Sequence, residues 1–185
     1  MSDLKTIGDE QFNIEKEDFD FEYQKSLTPY LDNFDEEFDQ DHINKIVLWK
    51  VNRYAGVPDK VLEKLNEINS NDKHIDKDLT KRVLISMLKV KGIGLPMAST
   101  ILRFKNPNVY QIIDQRVYRV LYKDEIKLSA YLSEKRIEEY VLLYIKYLND
   151  LRNACGKLSI PFEEADRILY NADKRLNKAI KLNNY

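Results

Sequence analysis

Cysteine occurs once in this chain, at Cys155, and histidine twice, at His42 and His74. A lone thiol excludes an internal disulfide framework and any four-cysteine metal or iron–sulfur site. With so few histidines, no zinc or other transition-metal site is expected. Glycine and proline are scarce, at five each, which disfavours a turn-rich all-β fold and leans towards helix. No run approaches the roughly 18–20 consecutive apolar residues of a membrane span. The segment Met1 to Glu10 lacks the apolar centre of a signal peptide, so a cytoplasmic protein without a membrane partner is expected. No glycine-flanked serine nucleophile and no phosphate loop ending in Gly-Lys-Ser or Gly-Lys-Thr is present. Triad hydrolysis and nucleotide hydrolysis are therefore disfavoured.

What is present is charge, unevenly placed. The 185 residues are 43% hydrophobic and 33% charged, enough for one domain with an extension, and the formal net charge is −1. Met1 to Asp41 hold 14 acidic and three basic residues, whereas the other 144 residues hold 17 acidic and 27 basic. Residues 1–41 thus read as an acidic extension and 42–185 as a basic, all-helical domain. A basic body is the electrostatic footprint of a nucleic-acid binder, though many helical proteins share it. The extension also carries Phe12, Phe19, Phe21, Tyr23, Tyr30, Phe34 and Phe38, an aromatic density unusual in disordered segments. It is expected to dock part of itself through aromatic anchors. Masking of a basic surface, or mimicry of nucleic acid, is the sharper alternative.

Apolar periodicity places helices along the rest. Ile43, Ile46, Val47 and Val51 form one from about Asp41, stopped by Gly56 ahead of Pro58. Pro58 to Asn69 and Asp76 to Val90 form two more, and Leu95 to Lys105 a fourth that Asn106-Pro107 ends. Val109 to Ile113 looks extended, and Asp114 sits as the N-cap of a helix reaching Tyr122. Ser133 caps a long helix to about Ala154, closed by Gly156. Pro161 opens the last, Phe162 to about Leu182. The expected fold is an all-α bundle of about seven helices.

Two of the five glycines fall together, at Gly92 and Gly94 around Ile93, in a short turn between two helices. Alternate glycines there permit positive φ and close backbone approach. The amides of the turn and of the following helix start form an anion site, with Lys89 and Lys91 as phosphate-directed charge. Between Asp78 and Asp124, Asp114 is the only acidic residue among nine basic ones. A carboxylate opposes phosphate binding, so its presence asks for a reason. An N-cap is one, worth about 0.5 to 2 kcal/mol; chemistry is another. The two are compatible, because a helix start fixes a carboxylate's direction and favours its charge.

The stretch Leu88-Lys89-Val90-Lys91-Gly92-Ile93-Gly94, with Ala98 and Ile101-Leu102, resembles the helix-hairpin-helix element that grips a DNA backbone without reading sequence. The following Tyr110-Gln111-Ile112-Ile113-Asp114-Gln115-Arg116-Val117-Tyr118-Arg119-Val120-Leu121 resembles the segment after that hairpin in the helix-hairpin-helix DNA glycosylases of base-excision repair, of the endonuclease III and adenine glycosylase type. The separation of Gly94 from Asp114 also matches. The likeness covers Leu79 to Tyr122, about a quarter of the chain. It implies double-stranded DNA as partner, held by Lys89, Lys91, Gly92, Ile93, Gly94 and Arg116. It implies Asp114 as the catalytic carboxylate and a hairpin able to hold a monovalent cation, with no cofactor required. A flipped base needs an aromatic or apolar pocket, for which Trp49 and Tyr110 are candidates, beside Tyr54 and Tyr118.

The chain also departs from that pattern. Bifunctional members place a Schiff-base lysine two residues after the second hairpin glycine, where this chain has Pro96. Lyase chemistry is therefore not expected, leaving monofunctional hydrolysis of the N-glycosidic bond. The frequent iron–sulfur cluster is impossible with Cys155 alone, and Gln115-Arg116 replaces the usual pair after the aspartate. The base cannot be named from the sequence, nor a protein partner. Two alternatives remain: a non-catalytic helix-hairpin-helix DNA-binding protein, and an interaction protein acting through its acidic leader.

Overall fold

The computed structural model describes residues 24–35, 37–51, 56–129 and 131–182. Phe12, Phe19, Phe21, Tyr23 and Tyr54 lie outside the described residues. Those described form eight α-helices and no strand: α1 (Leu27–Asp32), α2 (Gln40–Lys50), α3 (Asp59–Asn66), α4 (Lys77–Leu88), α5 (Leu95–Lys105), α6 (Gln115–Tyr122), α7 (Glu134–Leu158) and α8 (Ala165–Leu176). A 3₁₀ turn, Phe162–Glu164, precedes α8. The seven expected helices are α2 to α8, and α1 is an additional one inside the acidic segment. The chain divides into two compact units, Met1–Tyr54 and Ala55–Tyr185, so α2 belongs with the acidic segment in the first of them.

In the first unit, α2 turns its polar side to α1. Asp39 caps α2 by accepting from the His42 amide at 2.8 Å and holds the His42 ring at Nδ1, 2.6 Å away. The other ring nitrogen meets the Tyr30 hydroxyl at 2.8 Å, and the Phe34 ring lies 3.6 Å from the imidazole, centre to centre. Trp49 donates its indole N–H to Thr28 Oγ1 at 2.9 Å. Of the aliphatic side chains that mark α2 in the sequence, Ile43, Val47 and Val51 are exposed, as is Leu48 beside them, while Ile46 is half-buried.

The second unit is built around α7, the longest helix. Its buried stripe, including Tyr140, Tyr144, Tyr147 and Leu151, packs with Val83, Leu84 and Met87 of α4 and Leu95, Ala98 and Leu102 of α5. Val109, expected to be extended, closes a turn from Asn106. Through this core runs the irregular segment Tyr110 to Ile113, whose buried peptide groups need partners. Tyr144 and Tyr147 donate their hydroxyls to the carbonyls of Gln111 and Ile112, at 2.9 and 2.7 Å. The amide of Ile113 donates to Ser99 Oγ at 3.1 Å. Burial pushes both tyrosine hydroxyls far above their ordinary titration range, which keeps them as donors. The segment ahead of Asp114 is thereby fixed from two helices.

Several helix ends differ from the sequence expectation. α3 stops at Asn66 rather than Asn69, α4 at Leu88 rather than Val90, and α8 begins at Ala165, behind the 3₁₀ turn, rather than at Phe162. Gly156 does not close α7, which runs on to Leu158 and ends at Ser159 in the left-handed region, φ +55°. Gly156 is exposed with open space around it, and a helix interior tolerates such a glycine at about 1 kcal/mol. Buried Cys155, one turn after Leu151, carries the apolar stripe past that point. The last helix stops at Leu176 rather than near Leu182, because Asn177 leaves helical geometry and turns its side-chain amide back onto Asp173.

Candidate functional site

Asp114 is the N-cap of α6, in extended conformation, and its Oδ1 accepts from the Arg116 amide at 2.7 Å. Among the described residues its other oxygen accepts no hydrogen bond. The side chain is half-buried and lines a cavity of about 430 Å³ together with Ile112, Asp166, Arg167, Tyr170 and Asn171. That volume lies within the roughly 300–1,000 Å³ typical of small-ligand pockets. One wall is the segment entering α6, and the other is the first half of α8.

A charged lattice joins α8 to the rest. Asp173 is fully buried and receives Arg119 through two N–H groups, each at 2.7 Å, Arg116 Nη1 at 2.9 Å and Asn177 Nδ2 at 2.8 Å. Burial alone would raise the Asp173 carboxyl, but the hydrogen bonds from Arg119, Asn177 and Arg116 outweigh it and pull the value down to about 2. Arg103, also buried, donates to the Glu163 carbonyl at 3.0 Å and sets its Nε 3.9 Å from Asp166 Oδ2. Gln111 adds a polar tie, its Oε1 accepting from the Asp166 amide at 3.4 Å.

This lattice changes the roles of several residues singled out in the sequence. Arg116 has Nη1 on Asp173 and its guanidinium 5.6 Å from the centre of the Tyr170 ring, so it is a strut at the cavity wall before it is a phosphate contact. Tyr110 is a core residue, 2% exposed, with its hydroxyl 2.8 Å from Thr80 Oγ1. It does not line the Asp114 cavity, whose aromatic wall is Tyr170. Trp49 belongs to the first unit and Asp114 to the second. Tyr118 packs on Tyr122 at 4.5 Å. In sequence Asp114 stands alone among nine cations; in space α8 brings Asp166 to the same cavity and Asp173 to two of those cations. Asp166 and Asp173 were legible in principle, since they occupy the buried stripe of α8 with Ala165 and Leu169.

The glycine turn between α4 and α5 forms a separate hollow of about 440 Å³, lined by residues 88–94 with Ser129 and Leu132. Ile93 is buried and anchors the turn, and its amide donates to the Val90 carbonyl at 3.1 Å. Among the described residues the amides of Gly92 and Gly94 have no acceptor. Gly94 is the N-cap of α5, with Pro96 in the first turn. Lys91 is exposed and makes no ion pair among the described residues, while exposed Lys89 meets Glu134 at 3.3 Å. Gly92 has φ +88°, where an L side chain is strained by about 1–2 kcal/mol. Gly92→Ala is therefore expected to lower stability in urea unfolding by about that amount. Gly94→Ala is expected to cost less, since its backbone is extended and a Cβ would meet only Pro96 Cδ at 3.8 Å.

No group of three or more His, Cys, Asp or Glu side chains among the described residues is placed to hold a metal ion. No helix there is long and apolar enough to cross a membrane. Family models, curated proteins and solved structures yield no match to this chain.

Proposed function

We propose that this protein is a DNA-binding monofunctional N-glycosylase that hydrolyses the bond between a flipped base and its deoxyribose. The observation that carries the reading is Asp114. A helix start fixes one of its oxygens, and the side chain lines a cavity with an apolar wall at Ile112 and an aromatic one at Tyr170. As the base leaves with the bonding electron pair, the sugar takes on oxocarbenium character. A fixed carboxylate stabilises that positive charge or orients the attacking water, whose oxygen bonds to the sugar carbon while its proton ends on the departed base, neutralising the electron pair the base took with it. The partner is double-stranded DNA, held through its backbone by the glycine turn with Lys89 and Lys91. A monovalent cation at that turn belongs to the same proposal.

Pro96 gives the reading a distinguishing product. Without an amine at that position no Schiff base forms, so incubation with a substrate duplex should leave an intact abasic strand. Borohydride should then trap no covalent protein–DNA complex. Trapping at a level that follows base release would contradict the monofunctional assignment.

A second reading, a DNA-binding protein without catalysis, is favoured by one observation. The glycine turn and Asp114 line separate hollows rather than the rim and floor of one groove. It predicts salt-sensitive DNA binding and no free base from any modified duplex.

A further inference from the structure

We propose that Tyr131 is a second DNA-contacting element, stacking on a base unpaired beside the phosphate that the glycine turn holds; this rests on the DNA reading above. At 79% exposure Tyr131 is the most exposed large hydrophobic side chain among the described residues. Isolated exposed apolar residues are ordinary, but this one is held out by its surroundings. Leu128 and Leu132, on either side of it in sequence, pack against the core and anchor the loop at both ends. The amide of Ser129 donates to the Tyr140 hydroxyl at 2.5 Å, and that of Tyr131 to Ser129 Oγ at 3.2 Å. The amides of Ser129 and Tyr131 are thus tied, and the Tyr131 side chain stands in solvent.

The place of the loop identifies the ligand. Ser129 and Leu132 complete the hollow lined by Lys89, Lys91, Gly92 and Gly94. The Lys89–Glu134 pair ties the turn to the first turn of α7, immediately after the loop. Tyr131 thus lies in the chain between two residues that line a hollow with exposed lysines and amides lacking acceptors, and a strand presenting a phosphate and a base face together suits that combination. Stacking on an aromatic face tolerates any base and is worth roughly 1–3 kcal/mol per base, or about 5- to 150-fold in affinity.

The test is fluorescence anisotropy with full-length protein and two labelled duplexes, one fully paired and one carrying a single unpaired base. Tyr131→Ala should weaken binding to the second by about tenfold while changing the fully paired duplex less than twofold. Tyr131→Phe, which keeps the ring, should stay within twofold on both. The slope of log affinity against log salt should be unchanged in Tyr131→Ala and reduced by about one in Lys91→Ala. Equal affinities of Tyr131→Ala and wild type for the unpaired duplex would overturn the assignment, as would a tenfold loss in Tyr131→Phe. Either result leaves the Asp114 reading standing, whereas no DNA binding by the wild type overturns both.

Discussion

Replacing Asp114 with asparagine should reduce base release by about a hundredfold to a thousandfold or more while leaving the fold unchanged. Removal of one fixed charge-stabilising group costs catalysis on that order. The choice of residue separates chemistry from architecture. Asparagine is as good an N-cap as aspartate, so the bond from the Arg116 amide to the side-chain oxygen is kept and only the charge is lost. Asp114→Ala removes charge and cap together, and should add about 0.5–2 kcal/mol of destabilisation. A cap with no chemical role predicts the reverse ranking: alanine harmful through stability, asparagine indistinguishable from wild type. Thermal melts and base-release rates on both variants separate these cases.

The largest structural effect is expected at Asp173. Asp173→Asn leaves the Arg116 and Arg119 guanidinium groups facing a neutral, fully buried amide. Breaking one side of such a buried network typically costs about 3–5 kcal/mol, or about 10 °C in melting temperature for a chain of this size. A loss under 1 kcal/mol would show that the network is not what holds α8. The folded-state value of about 2 lies below the ordinary 3.8. Stabilisation from this group is therefore complete above about pH 4 and fades as the pH falls through 2, on the order of 2 kcal/mol in all. Because α8 supplies Tyr170 and Asp166 to the cavity, Asp173→Asn should also slow base release at temperatures where the protein is still folded.

Much of this architecture is legible in the sequence, for local reasons. α5, and α6 with its cap at Asp114, were readable to the residue, because Pro96 and Asn106 bound the first and an aspartate introduces an apolar-periodic run in the second. The glycine turn was readable because Gly92 takes the one backbone conformation there that disfavours side chains. What local pattern could not supply was pairing across the chain. Arg116 and Arg119 count as free cations until α8, more than fifty positions on, brings Asp173 to them. Tyr110 reads equally well as a pocket wall or a core residue, and only the Thr80 partner on α4 decides. On α2 an aliphatic stripe identified the helix but not the direction it faces, since His42 and Asp39 turn the opposite side towards α1.

The central claim, that Asp114 cleaves an N-glycosidic bond, is tested most directly by mass spectrometry of free bases. Wild type and Asp114→Asn would be incubated in parallel with a panel of duplexes carrying different modified bases. Release of one base or class of bases by the wild type, and its loss by a hundredfold or more in Asp114→Asn at equal DNA affinity, is the expected result. Equal release by the two proteins, or no base from any duplex that the wild type binds, would contradict it.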